Sequence, residues 1–258
     1  MPAVLVEQVS FRYSSGFALH SIDLEIPQQA FLALIGPNGS GKTTLLRLMS
    51  GLLRPESGNI RLNGKVVSDF EPRELARQMA VISSEQFFEF PFSVAQIVAM
   101  GRFPHLGRFG KMSAQDWQIV EEALRMTQIQ DLSKRPISEL SSGERQRVLI
   151  ARAIAQKPSI LMLDEPNAHL DIGHEIEIFR LLQFLNQQHA ITVVVVLHNL
   201  AAAAAFCKSV ALLYQGRLLK YGKPEQVITT EIIRGAYGAD VSVHPSPTGG
   251  FPQISYDR

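Results

Sequence analysis

Apolar and polar positions alternate between residues 4 and 30: in Val4-Leu5-Val6, in Val9-Ser10-Phe11-Arg12-Tyr13 and in Ile22-Asp23-Leu24-Glu25-Ile26, with Pro27 closing the last run. A period of two marks half-buried strands, so this stretch predicts an antiparallel β portion. The pattern then changes. Phe31-Leu32-Ala33-Leu34-Ile35 is continuously apolar, as a strand covered on both faces must be, and it is followed by helix-type sequence from Thr44 to Met49, with Gly51 just past the helix end. Two short strands at 58–62 and 65–67, around the turn Asn63-Gly64, read as a hairpin. Pro72 opens a short helix to Met79, and Ala80-Val81-Ile82-Ser83 is a further buried strand.

From about residue 86 to 155 the texture is helical. Ser93 is placed to cap a helix over 94–100, and Ser113 one over 114–126 whose Trp117, Val120 and Leu124 fall on one packing face. Between them, Gly101-Arg102-Phe103-Pro104-His105-Leu106-Gly107 is either a connecting loop or an exposed apolar contact surface. Strand–helix alternation returns after residue 156: a strand at 160–163, a helix at 172–186, a strand at 191–197 and a helix at 200–206. A hairpin at 210–221 turns at Gln215-Gly216, Pro224 starts a last helix-rich segment, and the Pro/Gly-rich tail from His244 is expected to be irregular. The whole predicts one α/β domain. Its core covers about 1–85 and 156–225, a helical subdomain about 86–155, and a C-terminal helical extension and tail 226–258.

The junction between the apolar strand and the first helix carries the chemistry. Gly36-Pro37-Asn38-Gly39-Ser40-Gly41-Lys42-Thr43 fits the phosphate-loop pattern of Gly, four residues, Gly-Lys-Thr. Its glycines permit backbone angles and close approaches that a Cβ blocks, so successive N–H groups can converge as an anion cradle at a helix N-terminus. Lys42 adds a full charge for the β- and γ-phosphates, and the Thr43 hydroxyl can hold Mg2+, with Thr44 beside it. The loop predicts a bound nucleoside triphosphate. Tyr13 has two readings, a strand aromatic or a ring that stacks on a purine.

Bulk properties narrow the setting. The 258 residues carry 25 Lys and Arg against 24 Asp and Glu, a net charge of +1 that offers no footprint for nucleic acid. The single cysteine, Cys207, can form no intrachain disulfide and reads as a small buried hydrophobe in a reducing compartment. No basic leader precedes an apolar core at the start, and no apolar run approaches the ~20 residues of a membrane helix. A soluble or peripheral cytoplasmic protein is therefore expected.

Two further groups complete the candidate site. The strand at 160–163 delivers Asp164-Glu165 at its C-terminal end, where parallel sheets place ligand groups. Asp164 can bind Mg2+ through water, and Glu165 can orient or deprotonate a water attacking the γ-phosphate. The turn Leu140-Ser141-Ser142-Gly143-Glu144 heads another helix; it is an ordinary capping turn or a second anion site.

With these residues in view the chain resembles the ATP-binding-cassette ATPases. The loop Gly36–Thr43, the turn Leu140–Glu144, the strand with Asp164-Glu165, Asp171 in Asn167-Ala168-His169-Leu170-Asp171, and His198 after the strand at 191–197 occur in that family's order and spacing. The resemblance covers nearly the whole chain. It implies a P-loop NTPase core with an antiparallel β portion and an inserted helical subdomain. It implies a head-to-tail homodimer with each ATP between one subunit's phosphate loop and the other's Ser141–Gly143 turn, Ser142 and Glu144 included. It also implies that His198 contacts the γ-phosphate, that Asp171 links the two sites, and that Tyr13 stacks on adenine.

The sequence departs from the family in three places. A glutamine usually follows the strand at 80–82 directly; Ser84 stands there and Gln86 two residues later, so Gln86 reaches Mg2+ through a longer loop, or Ser84 or Glu85 takes its place. Ser142 and Glu144 stand in a turn the family often writes Ser-Gly-Gly-Gln, and Asn199 stands where Asp is common. Within the family, Met100–Gly107 resembles importer ATPases serving ferric siderophores, haem and cobalamin. That implies peripheral attachment to membrane permeases on the cytoplasmic face, fed by a substrate-binding protein. Importers of molybdate or other metals and a soluble cassette ATPase are the alternatives, and a phosphotransferase would leave the Leu140–Glu144 turn and His198 without a purpose.

Overall fold

In a computed structural model the chain is described at residues 1–14, 16–83, 91–107, 110–168, 170–245 and 250–256. It divides into two compact units, Met1–Asp69 with Asn186–Arg258, and Phe70–Leu185.

The first unit opens with β1 (Val4–Arg12) and β2 (Ala18–Ile26), then β3 (Phe31–Ile35), α1 (Lys42–Met49), β4 (Ser57–Leu62) and β5 (Lys65–Val66). An antiparallel sheet runs in the order β2-β1-β4-β5. The two sequence runs at 4–6 and 9–13 are one strand, because Gln8, at φ 50, is an extra residue that shifts the register between Val6 and Val9. A bulge of this kind lets alternation resume after a slip. Asn63 and Gly64 both take positive φ, 50° and 87°, so the β4–β5 hairpin turns as its residues predict.

The second unit contains α2 (Pro72–Gln78), β6 (Met79–Ile82), α3 (Val94–Ala99), α4 (Ala114–Met126), α5 (Ser142–Ala155) and β7 (Ile160–Asp164), and α6 (Ile172–Gln188) begins in it. β6 and β7 pair in parallel, with Ile82 beside Leu163. The helices share a core of Val94, Ile97, Val98, Val120, Ala123, Leu124, Val148 and Ala151. Ser93, Ser113 and Ser141 each close a capping box with the residue three positions on.

Trp117 departs from its expected packing role. It is 44 % exposed, because the buried stripe of α4 is Ile119, Val120, Ala123 and Leu124, and Trp117 lies at its margin. The segment Met100–His105 is a 3₁₀ turn. Arg102 is buried in an ion pair with Asp116, Nε to Oδ1 3.0 Å, and donates to the Ala155 carbonyl at 2.7 Å. Phe103, next in sequence, is 57 % exposed.

The chain returns to the first unit with β8 (Thr192–Val196), α7 (Leu200–Phe206), β9 (Ser209–Tyr214), β10 (Arg217–Gly222), α8 (Pro224–Val227) and α9 (Thr230–Tyr237). Here β3 lies between β9 and β8, parallel to both, and β10 pairs antiparallel outside β9. All residues of β3 and β8 are buried, which their unbroken apolar runs require. The tail is a correction to the expectation of irregular chain: β11 (Val241–His244) and β12 (Gln253–Tyr256) form an antiparallel hairpin. Val-Ser-Val-His and Gln-Ile-Ser-Tyr each alternate at period two, a signal outweighed by the prolines and glycines between them.

Candidate functional site

The first unit carries Tyr13, Gly36–Thr44 and His198, and the second carries Ser141–Glu144, Asp164, Glu165 and Asp171. The loop between β3 and α1 is built around backbone that needs glycine. Gly36 has φ 147, and a Cβ there would stand 2.1 Å from the Leu213 carbonyl oxygen of β9. Gly41, at φ 107, is the N-cap of α1 and supplies no side-chain cap, unlike the serines that head α3, α4 and α5. The head of α1 stands at the positive end of its helix dipole, the end of a helix that favours an anion.

Lys42 is only 5 % exposed, and its ammonium donates to the Gly36 and Pro37 carbonyls at 2.9 and 3.1 Å. A charge held this close to the loop is available to phosphate oxygens at the cost of exchanging neutral acceptors for charged ones. Ser40 Oγ is buried with no hydrogen-bond partner among the described residues, an orphan that an anion would satisfy. The loop is braced from below: the turn of the β9–β10 hairpin donates Gly216 N–H to the Ser40 carbonyl at 3.2 Å, and Gly216 accepts from His20 N–H at 2.8 Å.

His198 leaves the sheet beside this loop. Leu34 pairs with Val196, and Leu197 N–H donates to the Leu34 carbonyl at 3.0 Å, so the chain brings exposed His198 out level with Gly36. Asn199 then caps α7 through Ala201 and Ala202 N–H. Either Asn or Asp can do that, which accounts for the departure at this position.

Tyr13 belongs to an aromatic cluster. Its ring meets Phe11 edge-on at 4.8 Å and Phe17 at 6.4 Å. Phe17 in turn borders the phosphate loop, since a Cβ on Gly41 would stand 3.0 Å from its Cζ. Phe17 escaped the sequence reading; its sign was an apolar ring after Ser-Ser-Gly in a turn. Tyr237 was missed too. Its hydroxyl lies buried against the Gly36 backbone with no hydrogen bond of normal geometry among the described residues, and burial pushes its pKa up to about 12.

In the second unit Asp164 ends β7 and is 6 % exposed. Glu165 follows with φ 51, a left-handed conformation unusual for a non-glycine residue. Such strain persists where the surroundings over-determine it, and it gathers at functional sites. The loop after it closes on itself, with Ala168 N–H donating to the Glu165 carbonyl at 3.1 Å and Asn167 Nδ2 to Glu175 Oε1 at 2.8 Å. Ser84, Glu85 and Gln86, the three choices for the metal-linked glutamine position, lie outside the described residues.

Ser141 caps α5 by accepting Glu144 N–H at 3.2 Å, and Glu144 Oε2 accepts Ser141 N–H at 2.8 Å. The Ser141 backbone N–H, then its hydroxyl, hold the Glu144 carboxyl below its ordinary range. Capping and anion binding are compatible at this helix head, because the first-turn N–H groups of Ser142 and Gly143 point out of the helix end.

The sequence profile of ABC transporters matches residues 19–168. The chain is also 34% identical over 258 residues to the iron(3+)-hydroxamate import ATP-binding protein FhuC of Bacillus subtilis, covering 100% of this chain and 96% of the relative. The chain belongs to the ABC transporter family. A solved metal-chelate type ABC transporter in an inward-facing conformation superposes with a TM-score of 0.88 at 28% identity, over 100% of this cassette and 98% of that chain. The cassette MJ0796, solved as a dimer bound to ADP and Pi, superposes at 0.74 with 28% identity, over 86% and 98% of the two chains. The cassette thus has the α/β P-loop fold that its strand–loop–helix signature implies. No helix among its described residues is long and apolar enough to cross a membrane.

Proposed function

We propose that the chain is the ATP-hydrolysing subunit of an importer for a metal chelate, a ferric hydroxamate or a related siderophore first among the candidates. It acts as a homodimer on the cytoplasmic face of permease subunits that receive their cargo from a substrate-binding protein. ATP closes the dimer because it binds the closed form better than the open one, and hydrolysis releases it. One cassette domain does this work, with a core at about 1–85 and 156–225, a helical subdomain at about 86–155 and an extension at 226–258. Haem and cobalamin are the next cargoes to test.

The observation that carries the reading is the loop before α1: a glycine at the helix head, a buried lysine and an orphaned buried serine hydroxyl together form a cradle for phosphate. The dimeric, ADP-bound state of MJ0796 and the name of the Bacillus relative support its extension to ATP, to dimers and to iron chelates. Mg2+ supplies charge neutralisation at the β- and γ-phosphates. Thr43 and Asp164 offer the hard oxygen donors this ion takes. Glu165 orients or deprotonates the attacking water, and His198 meets the γ-phosphate. Ser141 to Gly143, Asp171 and Tyr13 complete the nucleotide contacts.

The test is uptake of labelled ferric hydroxamate, ferric catecholate, haem and cobalamin in a strain deleted for this chain. Loss of one cargo, restored by the parent and not by Glu165→Gln, is expected. Purified Glu165→Gln should lose at least a hundredfold in turnover while holding ATP in a stable dimer. Parent-like turnover by this variant overturns the role of Glu165, and unchanged uptake of all four overturns the cargo.

A further inference from the structure

The head of α6 touches two of the proposed nucleotide-contact groups of the second unit at once. Asp171 accepts the His174 backbone N–H on Oδ1 at 2.9 Å and the His174 ring Nδ1 on Oδ2 at 2.8 Å. Both carboxylate oxygens are therefore engaged by one residue. The His174 N–H, then its ring, hold the Asp171 carboxyl below its ordinary range. A ring nitrogen facing a carboxylate carries the proton, so the tautomer and the orientation of the imidazole are set.

The opposite edge of that ring faces Gly143, in the first turn of α5. A Cβ on Gly143 would stand 2.4 Å from His174 Cδ2, 2.9 Å from Cγ and 3.1 Å from Nε2. Gly143 has no positive φ; with the ring in this orientation it is the imidazole, and not the backbone angle, that a side chain at position 143 would meet. Gly143 is buried, while Ser141 and Ser142 beside it are exposed. One turn further along both helices the contact repeats, where Arg147 Nη2 meets Glu177 Oε2 at 2.8 Å and Arg147 Nη1 donates to the Thr127 carbonyl at 3.0 Å. The same first turn of α6 also holds the loop that leaves Asp164 and Glu165, through Asn167 and Glu175.

We propose that His174 is a positioning residue: its imidazole is the strut that couples Asp171 to the Ser141–Gly143 turn. This rests on the reading of the chain as a dimeric ATPase, in which that turn meets the partner's nucleotide and Asp171 lies at the interface. The ring occupies the space that a side chain at position 143 would take, so the orientation that Asp171 gives the ring bears on the placement of the turn. Alignment of the turn then depends on Asp171 in the same subunit. Sequence alone conceals this role, since a histidine three residues after an aspartate reads as a local cap.

The experiment uses the full chain and measures kcat, KM and the Hill coefficient for ATP hydrolysis, with separate binding of a fluorescent ATP analogue. The variants are His174→Ala, His174→Asn, Asp171→Ala and the Asp171→Ala/His174→Ala double. His174→Ala is expected to lose about tenfold or more in kcat, with a lower Hill coefficient and analogue affinity within about twofold of the parent. The double variant should be no worse than Asp171→Ala by more than about twofold, since both changes cut one connection. His174→Asn keeps a donor for Asp171 and lacks the ring against Gly143, so it should stay impaired at least about threefold. A His174→Ala protein with parent-like kcat, or losses that multiply in the double variant, overturns the proposal. Should His174→Ala not fold, His174→Asn is judged in its place: impaired turnover supports the strut and parent-like turnover overturns it. A parent that hydrolyses no ATP brings down the ATPase reading and this inference with it, whereas an active parent with an equally active His174→Ala brings down this inference alone.

Discussion

Asp116 shows how much one carboxylate can carry. The Ser113 hydroxyl and N–H, with Arg102, bring its pKa to about 2, against 3.8 for an ordinary aspartate. A folded pKa below the unfolded one contributes stability that is present above the unfolded value and is lost as pH falls through the folded one. Urea unfolding of the parent should therefore show a loss of up to about 2 kcal/mol between pH 4 and pH 2, reduced by partial exposure of the group. Asp116→Asn should lack most of that pH dependence. It should also be less stable than the parent at pH 7, by no more than the ~2 kcal/mol that protonation removes, because Arg102 loses its charged partner and keeps the Ala155 carbonyl. Buried Cys207 carries no comparable role: burial pushes its thiol up, away from the thiolate.

At the scale of elements, the β1–β2 turn and the head of α1 form one construction. Tyr13 N–H donates to the Phe17 carbonyl at 2.8 Å, closing the turn, and Phe17 packs beside Gly41. If Tyr13 stacks on the base, Tyr13→Ala should weaken ATP binding about fivefold to tenfold, the worth of one aromatic stacking contact. Binding of inorganic tripolyphosphate should be unchanged. A loss equal for both ligands would mean that the ring holds the loop and not the base. Calorimetric titration of both ligands decides between them.

At the scale of the whole molecule, a ligand that binds the folded chain alone must raise its melting point. At one hundred times its dissociation constant, MgATP should add about 2.7 kcal/mol. For a chain of this length that is a rise of several degrees in a melting scan. Lys42→Ala should abolish most of the shift, because the buried ammonium is the charge nearest the loop carbonyls. Repeating the scan without Mg2+ tests the metal: a shift that shrinks markedly supports the role assigned to Thr43 and Asp164.

The phosphate loop, the serine caps, the Asn63-Gly64 turn and the unbroken apolar strands were legible in the sequence, and so was the family. The caps and the turn rest on backbone angles or hydrogen bonds among residues a few positions apart, and the loop and the apolar strands announce themselves by runs of residue type, so a residue's type and its neighbours suffice to signal them. The tail hairpin was visible in principle, but turn residues masked its alternation. Other features were decided only by tertiary structure: Trp117 at the margin of its helix's buried stripe, Arg102 buried beside an exposed Phe103, Phe17 against Gly41, Tyr237 against Gly36, and His174 against Gly143. Such contacts join residues from separate elements, and the helix or strand period says which face a side chain takes but not which partner meets it. That partner is chosen by close packing, where a gap or an overlap of a fraction of an ångström decides what fits.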